Sequence, residues 1–179
     1  LILTGNIAAS GPGNAIVLAS GKDFDNNRGH TLTASGGRWL VYSQSPATIP
    51  KGGLSSAFRH YGSNLAGYAP GGVAEAGNGF VYSNTQPTLT ADVSLPGATD
   101  HIYGDAPTAM YGISLTPSST ADNEDIAANF GVNLGGANFR TSVGNLAIDH
   151  QLDAGGYLVV ANGLASTLGY TISNGITPA

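Results

Sequence analysis

The acidic residues Asp122, Glu124 and Asp125 form the one dense cluster of potential metal ligands in the sequence. Oxygen-rich loops of this kind bind Ca²⁺, but the spacing matches neither the EF-hand loop nor the nonapeptide calcium repeats. Ile126 and Ala127 follow as a short helix would, and acidic residues are favoured at a helix start by its dipole. The cluster therefore predicts either a calcium site or, as the favoured alternative, a solvated loop or helix cap.

Two histidines stand directly after an aspartate, at Asp100-His101 and Asp149-His150. Such pairs supply a base and its orienting acid only where a nucleophile lies nearby in space. The sequence contains no G-x-S-x-G elbow and no H-E-x-x-H pattern. We therefore assign no catalytic or cofactor-binding residue and expect a protein that is not an enzyme.

A carbohydrate-active enzyme is the least favoured alternative, because it needs two carboxylates a few ångströms apart in a cleft. Asp23 and Asp25 lie on the same side of one extended segment, but Asn26 and Asn27 continue a turn there. Asp and Asn side chains hydrogen-bond backbone groups in turns. We expect these residues to cap a corner of the fold, with Phe24 pointing inward.

Tyrosines are numerous for a chain with so few charges, eight among 179 residues. Exposed tyrosines suit stacking on sugars or contacts with proteins, although tyrosine is also favoured in strands. Tyr61 and Tyr68 are the candidates for contact with a glycan or protein partner. A polysaccharide-binding, lectin-like module is accordingly the alternative function.

The composition is that of secreted all-β structural proteins. Only 9% of residues are charged, 41% are hydrophobic, and there is no cysteine. Six basic residues against 11 acidic ones give no basic patch, so we expect no nucleic-acid binding. No apolar run approaches the roughly 20 residues of a membrane-spanning helix.

Short apolar runs between turn clusters predict strands in the first part of the chain. In residues 13–43 the runs are Ile16–Leu18, the neighbourhood of Leu32 and Trp39–Tyr42, which favours a short β-solenoid or a meander. Val41-Tyr42-Ser43 recurs at positions 81–83, and we interpret the two as core strands of one sheet.

The stretch after residue 43 has a weaker pattern. Leu54, Phe58 and Tyr61 are spaced as on a helix, so one or two helical turns or an irregular loop are equally good interpretations. Alternation predicts strands farther on, each with one face buried. These predicted strands are centred on residues 89–95, 111–115, 130–134, 146–148 and 170–172.

The first half also resembles a known family. The segments GNAIVLASGKDFDNN and GGRWLVYSQSP, followed by Gly52-Gly53-Leu54, are similar to the segment that closes the β-helix of filamentous-haemagglutinin-type exoproteins. Those proteins are adhesins secreted by the two-partner route. The resemblance implies a secreted, extracellular or cell-surface location on a Gram-negative bacterium.

A second resemblance covers the rest of the chain. HIYGDAPTAMYGISL, SVGNLAIDHQL and LGYTISNG look like the MBG-type β-sandwich module of bacterial adhesins, with altered loops at residues 120–125 and 135–138. The two resemblances imply an all-β chain with two domains. Residues 1–96 would be the β-solenoid-like or meander part with its linker, packed on or joined to an Ig-like β-sandwich over residues 97–179.

We therefore expect a non-enzymatic structural or adhesive protein that acts through strand edges and surface contacts. Its partners would be further copies in a homo-oligomer or fibre, the remainder of a larger exoprotein, or surface glycans. An apolar strand at Leu1, Ile2 and Leu3 would expose its edge and side chains, so these residues are the candidates for self-association.

Overall fold

A computed structural model describes residues 1–46, 50–94, 111–146 and 158–175. The described chain is all-β, as predicted, with short 3₁₀ turns at Pro70–Gly72, Asn123–Gly131 and Leu134–Gly136. None of its helices is long and apolar enough to cross a membrane. The strands are β1 (Ile7–Ser10), β2 (Asn14–Ala19), β3 (Leu32–Ser35), β4 (Arg38–Ser43), β5 (Phe58–Tyr61), β6 (Gly79–Tyr82), β7 (Thr88–Ser94), β8 (Gly112–Pro117), β9 (Asn138–Thr141), β10 (Val159–Asn162) and β11 (Thr171–Asn174).

Contacts divide the chain into two compact units. The first consists of Leu1–Pro87 and Ser119–Ala127, and the second of Thr88–Ser118 and Ala128–Ala179. The predicted boundary between residues 96 and 97 lies outside the described residues and stays a prediction.

In the first unit, successive turns of the chain stack as parallel strands. β1 pairs with β3, so Ile7 lies beside Leu32, a separation of 32 − 7 = 25 residues. β2 pairs with β4, so Val17 lies beside Leu40, a separation of 40 − 17 = 23 residues. The backbone of Leu3 pairs with that of Asp25 in the same way, with the amide of Leu3 donating to the carbonyl of Asp25 at 2.8 Å.

The larger sheet of this unit has the order β2-β4-β6-β5 and is parallel throughout. β5 precedes β6 in sequence but lies outside it, so residues 62–78 cross back before β6 enters the sheet. We call residues 62–78 the crossover. The two Val-Tyr-Ser motifs are neighbours in this sheet, as predicted, but Val41 pairs with Phe80 and Tyr42 with Val81. The pairing is thus offset by one residue from the repeat in the sequence.

Both faces of this sheet are buried, which explains the continuous apolar run Trp39–Tyr42. One face joins a core with the first strands, made of Leu3, Ile16, Phe24, Leu32, Trp39, Val41, Phe80 and Tyr82. The other face joins Leu40, Tyr42, Val73 and Val81, of which Val73 belongs to the crossover.

The corner at Phe24 has the predicted conformation. Phe24 is buried in the core, and the carboxylate of Asp25 accepts from the amide of Asn27 at 2.8 Å. The side-chain amide of Asn26 is fully buried, and its nitrogen donates to the backbone carbonyls of His30 at 2.8 Å and Lys51 at 3.0 Å. Its side-chain oxygen accepts from the backbone amide of His30 at 2.9 Å. Asn26 thus joins two successive turns of the chain.

Gly52 is required at this corner for two reasons. Its φ of +62° is left-handed, and a Cβ there would overlap Asn26. Gly52 therefore reflects the close approach of one chain turn to the next.

Two local predictions are wrong. Phe58–Tyr61 is a strand, neither helical turns nor irregular loop, since it pairs along its length with β6. The predicted strand at residues 130–134 is a turn region, in which Asn129 (φ +47°) and Phe130 (φ +54°) have left-handed backbone and Leu134 begins a 3₁₀ turn.

The second unit contains two sheets in its described part. β7 pairs antiparallel with β8 and parallel with β11, and β9 pairs antiparallel with β10. Leu89 and Ala91 of β7 are fully buried, which confirms the alternation predicted there. The predictions at Leu95 and Ile148 lie outside the described residues.

We predict that Asn26→Ala lowers the free energy of unfolding by about 1–3 kcal/mol, because it leaves buried backbone groups of His30 and Lys51 unpaired. Urea unfolding followed by tryptophan fluorescence measures the change. Asn27→Ala is the matched control, since the Asn27 side chain is exposed and only its backbone amide takes part in the corner. Equal stability losses in the two variants would contradict the role given to Asn26.

Candidate functional site

β5 places alternating side chains on the two faces of the sheet, as a strand must. Phe58 packs against the cluster that contains Val73, while Tyr61 packs against the core on the opposite face. Arg59 therefore lies beside the acidic residues Asp122 and Asp125, whereas His60 lies beside the crossover.

Arg59 and Lys51 are the cationic members of a buried ionic cluster, which we define as Lys51, Arg59, Asp122, Glu124 and Asp125. Both cationic side chains are nearly buried, at 7% exposure for Lys51 and 11% for Arg59. Lys51 pairs with Asp122 and, at 2.9 Å, with Glu124. The guanidinium of Arg59 forms a bidentate ion pair with the carboxylate of Asp125, with Nη2 2.9 Å from Oδ1. Nη1 of Arg59 lies 3.8 Å from Oδ2 of Asp122.

The backbone adds to this cluster. The amide of Lys51 donates to Oε1 of Glu124 at 3.0 Å, and the amide of Glu124 donates to Oδ1 of Asp122 at 2.9 Å. The carboxylates thus have cations and backbone donors around them, which burial of charge requires.

Two tyrosines from neighbouring strands border the cluster. The rings of Tyr61 and Tyr82 are stacked, with centroids 5.4 Å apart. Burial raises the pKa of Tyr61 to about 12, although Arg59 partly offsets it. Burial likewise raises the pKa of Tyr82 well above its ordinary range. Both phenols are therefore neutral at physiological pH and cannot act as bases there.

The calcium candidates Asp122, Glu124 and Asp125 are indeed brought together, but against Lys51 and Arg59. Among the described residues, no group of three His, Asp or Glu side chains is arranged to hold a metal ion. The predicted cap is the closer description, since a 3₁₀ turn begins at Asn123 and has Glu124 and Asp125 in its first turn.

On the other face of β5, His60 belongs to a partly exposed polar group with Tyr68 and Glu75. Nδ1 of His60 lies 2.8 Å from Oε1 of Glu75, and the hydroxyl of Tyr68 donates to Oε2 at 2.8 Å. The rings of His60 and Tyr68 lie 4.3 Å apart. Partial burial acts to raise the pKa of Glu75, but hydrogen bonds from His60 and Tyr68 outweigh it and lower the pKa below its ordinary value.

Arg38 fastens the crossover from the adjacent part of the sheet. Its guanidinium donates to the backbone carbonyl of Glu75 and, at 2.9 Å, to that of Val73. The side chain of Asn14 donates to the carbonyl of Pro70 at 2.7 Å and accepts from Nε of Arg38 at 2.6 Å. Together with Glu75, Arg38 holds the crossover over the sheet.

The tyrosines predicted to contact a glycan or partner are half-buried and already packed. Tyr61 stacks on Tyr82, and Tyr68 lies against His60 while its carbonyl accepts from the hydroxyl of Tyr42 at 2.8 Å. Neither ring is a freely exposed platform. Their role in glycan or protein contact stays a prediction.

The remaining candidates are placed as follows. Asp23 accepts from the amide of Ser45 at 3.2 Å and Asp25 from that of Asn27, so both cap backbone as predicted. The pairs Asp100-His101 and Asp149-His150 lie outside the described residues.

The proposed self-association residues are not equivalent. Leu1 and Ile2 are exposed, at 46% and 67%, whereas Leu3 is buried in the core of its own chain. Self-association through Leu1 and Ile2 stays a prediction, and Leu3 serves intramolecular packing.

Sequence reasoning missed Lys51, Arg59, His60 and Glu75. One signal was present: basic residues are rare in this chain, and Arg59 and Tyr61 alternate with Phe58 and His60 in a strand-like manner. The acidic partners of Arg59 are more than 60 residues away in sequence, so local spacing gave no indication of them.

The ionic cluster is chemically suited to joining segments of the chain, because its two cations pair with the two buried carboxylates, Asp122 and Asp125, while the third, Glu124, is 41% exposed. In the His60–Glu75 pair, the carboxylate of Glu75 can orient the imidazole of His60 as a base. The same carboxylate also accepts a hydrogen bond from the hydroxyl of Tyr68. Comparison of the chain with protein-family models, with curated proteins and with solved structures gave no match.

We predict that Lys51→Met lowers the free energy of unfolding by about 3–5 kcal/mol, because it removes the cation in direct contact with the buried carboxylate of Asp122 and leaves only the more distant Arg59, at 3.8 Å. Lys22→Met is the matched control, since Lys22 is exposed. Chemical unfolding of both variants gives the comparison. A Lys51→Met protein as stable as Lys22→Met would show that the cluster does not hold the fold together.

A second prediction concerns pH. Since the pKa of Glu75 is lowered in the folded protein, its ionised form stabilises the fold above about pH 4.5, and this contribution disappears as pH falls through the lower folded pKa. The stability difference between the wild type and Glu75→Gln should therefore be larger above pH 4.5 than well below it. Urea unfolding over this range tests it, and a difference that is independent of pH would contradict it.

Proposed function

We propose that this chain is a non-enzymatic structural segment of an extracellular, cell-surface adhesin of a Gram-negative bacterium, of the filamentous-haemagglutinin type. In this proposal the first unit forms the last coils of a β-solenoid, and the second unit is a sandwich module related to the MBG type. The chain contributes shape and contact surface to a larger exoprotein or a fibre.

The observation that carries the proposal is the stacking of apolar residues between parallel turns of the chain. Ile7 lies beside Leu32, Ile16 beside Trp39 and Leu18 beside Val41, so equivalent positions stack every 23–25 residues. Such a repeat buries a continuous core only when neighbouring coils are present. The ionic cluster supports the same proposal, because its ion pairs join the segment around Asp122 to Lys51 and to Arg59 of β5.

The two ends of the stack differ, and this difference fits a terminal segment. β1 and β2 each have a paired strand on one side only in the described chain, and their own residues Ile7, Ala9 and Leu18 are only partly buried against the core. Exposed Leu1, Ile2 and Val17 lie at the same end. At the other end, the ionic cluster covers residues of β5. Growth of the stack is accordingly assigned to the β1–β2 end.

A duplicated coil tests the proposal. A second copy of residues 1–24 placed before Leu1 should continue the stack, raise the midpoint of thermal unfolding and leave the parallel-sheet circular dichroism undiminished. The control carries Asp in the added copy at the position equivalent to Ile16, which would bury a charge in the new layer.

The expected result is a higher unfolding temperature for the duplicated chain than for both the wild type and the control. An added copy that is digested by protease as readily as the control copy, with no gain in unfolding temperature, would overturn the proposed coil-stacking role.

A further inference from the structure

Residues 119–127 belong to the first unit by their contacts, although the chain on both sides of them belongs to the second unit. We call these nine residues the return segment. The chain leaves the first unit after Pro87, contributes Thr88–Ser118 to the second unit, and comes back only for Ser119–Ala127. None of the described strands lies within the return segment, although the 3₁₀ segment Asn123–Gly131 crosses its end.

The return segment supplies every carboxylate that pairs with Lys51 and Arg59 in the described chain. These are Asp122 and Glu124 for Lys51, and Asp125 and Asp122 for Arg59. With the return segment in place Lys51 and Arg59 are nearly buried, and we call the basic site that they form on the first unit the basic groove. Without the return segment both cations lose these carboxylate partners, so a segment that replaces it must itself be acidic.

The acidic occupant has a defined pattern. Carboxylates at positions i, i+2 and i+3 match the two cations, and Glu124 also accepts from the backbone amide of Lys51. Elsewhere the sequence offers only isolated acidic residues or the pair Asp23 and Asp25, which cap a corner of the same unit. In a solution of the pure chain, the matching occupant is the return segment of a second copy.

The link between the units favours exchange over simple opening. β6 ends at Tyr82, and the amides of Ser83 and Asn84 still donate to the carbonyls of Ser43 and Gln44, so the connection to β7 at Thr88 is the three residues 85–87. It ends in Pro87, whose fixed φ restricts the paths of a short hinge. Short, restricted hinges are a known route to domain swapping.

We propose that two copies of this chain can exchange return segments reciprocally, each basic groove of Lys51 and Arg59 receiving Asp122, Glu124 and Asp125 from the partner copy. The closed monomer and the exchanged dimer contain the same ion pairs, so hinge conformation and protein concentration set their balance. The basic groove is a different site from the β1–β2 end, to which growth of the stack is assigned. The exchange proposal and the coil-stacking proposal therefore do not depend on each other.

A complementary pair of charge-reversed chains tests the exchange. One chain carries Lys51→Glu and Arg59→Glu, and the other carries Asp122→Lys and Asp125→Arg. In each chain alone, the basic-groove positions and the return segment carry charges of the same sign and repel each other. In a reciprocally exchanged pair, each groove receives a return segment of opposite charge. After refolding together, we expect a 1:1 dimer by light scattering, with a higher unfolding temperature than either chain alone. A mixture that contains only the two separate monomers would overturn the proposal.

If either reversed chain does not fold alone, a double variant of one chain decides the question. Lys51→Cys with Asp122→Cys is refolded at low and at high protein concentration and then oxidised; the natural sequence has no cysteine to interfere. Exchange predicts covalent dimers with no remaining free thiol, in a fraction that rises with concentration above that of Lys51→Cys alone. Intrachain disulfides alone at every concentration would contradict it.

Discussion

A parallel sheet must have both faces covered, and this requirement organises the first unit of the chain. The sheet β2-β4-β6-β5 has one face against the core with β1 and β3 and the other under the crossover of residues 62–78. Leu40, Val41 and Val81, at its centre, are completely buried.

The few basic residues are concentrated where distant segments meet. Of the six Lys and Arg residues, Arg38 fastens the crossover, and Lys51 and Arg59 fasten the return segment. A low overall charge therefore does not mean that charge is unimportant. Buried ion pairs add little net stability compared with apolar contacts, but they penalise wrong pairings strongly, which suits segments that return after long excursions.

The sequence indicates local features of this fold well and its long-range arrangement poorly. The run Trp39–Tyr42 predicts a core strand, which the structure shows buried on both faces, and the turn at Phe24 and Asn26 follows from side-chain chemistry. The spacing of Leu54, Phe58 and Tyr61 fits a helix, but pairing with β6 decides for a strand. The partners of Lys51 and Arg59 depend on the path of the whole chain, so no local pattern could identify them.

Register illustrates the same limit. The repeated Val-Tyr-Ser motif predicts neighbouring strands, yet the strands pair one residue out of step with the repeat. The offset places Phe80 beside Val41, and Phe80 then contacts the rings of Phe24, Trp39 and Tyr82 in the core. Packing of large aromatic side chains, and not likeness of the two motifs, selects the register.

The most direct test of this account is the pairing of β6 between β4 and β5, measured in solution by nuclear Overhauser effects between backbone protons. Our description predicts parallel-type contacts that link Val41 with Phe80 and His60 with Val81, together with slow exchange of the amides of β6. Direct contacts between β4 and β5, or an antiparallel pattern at β6, would contradict it.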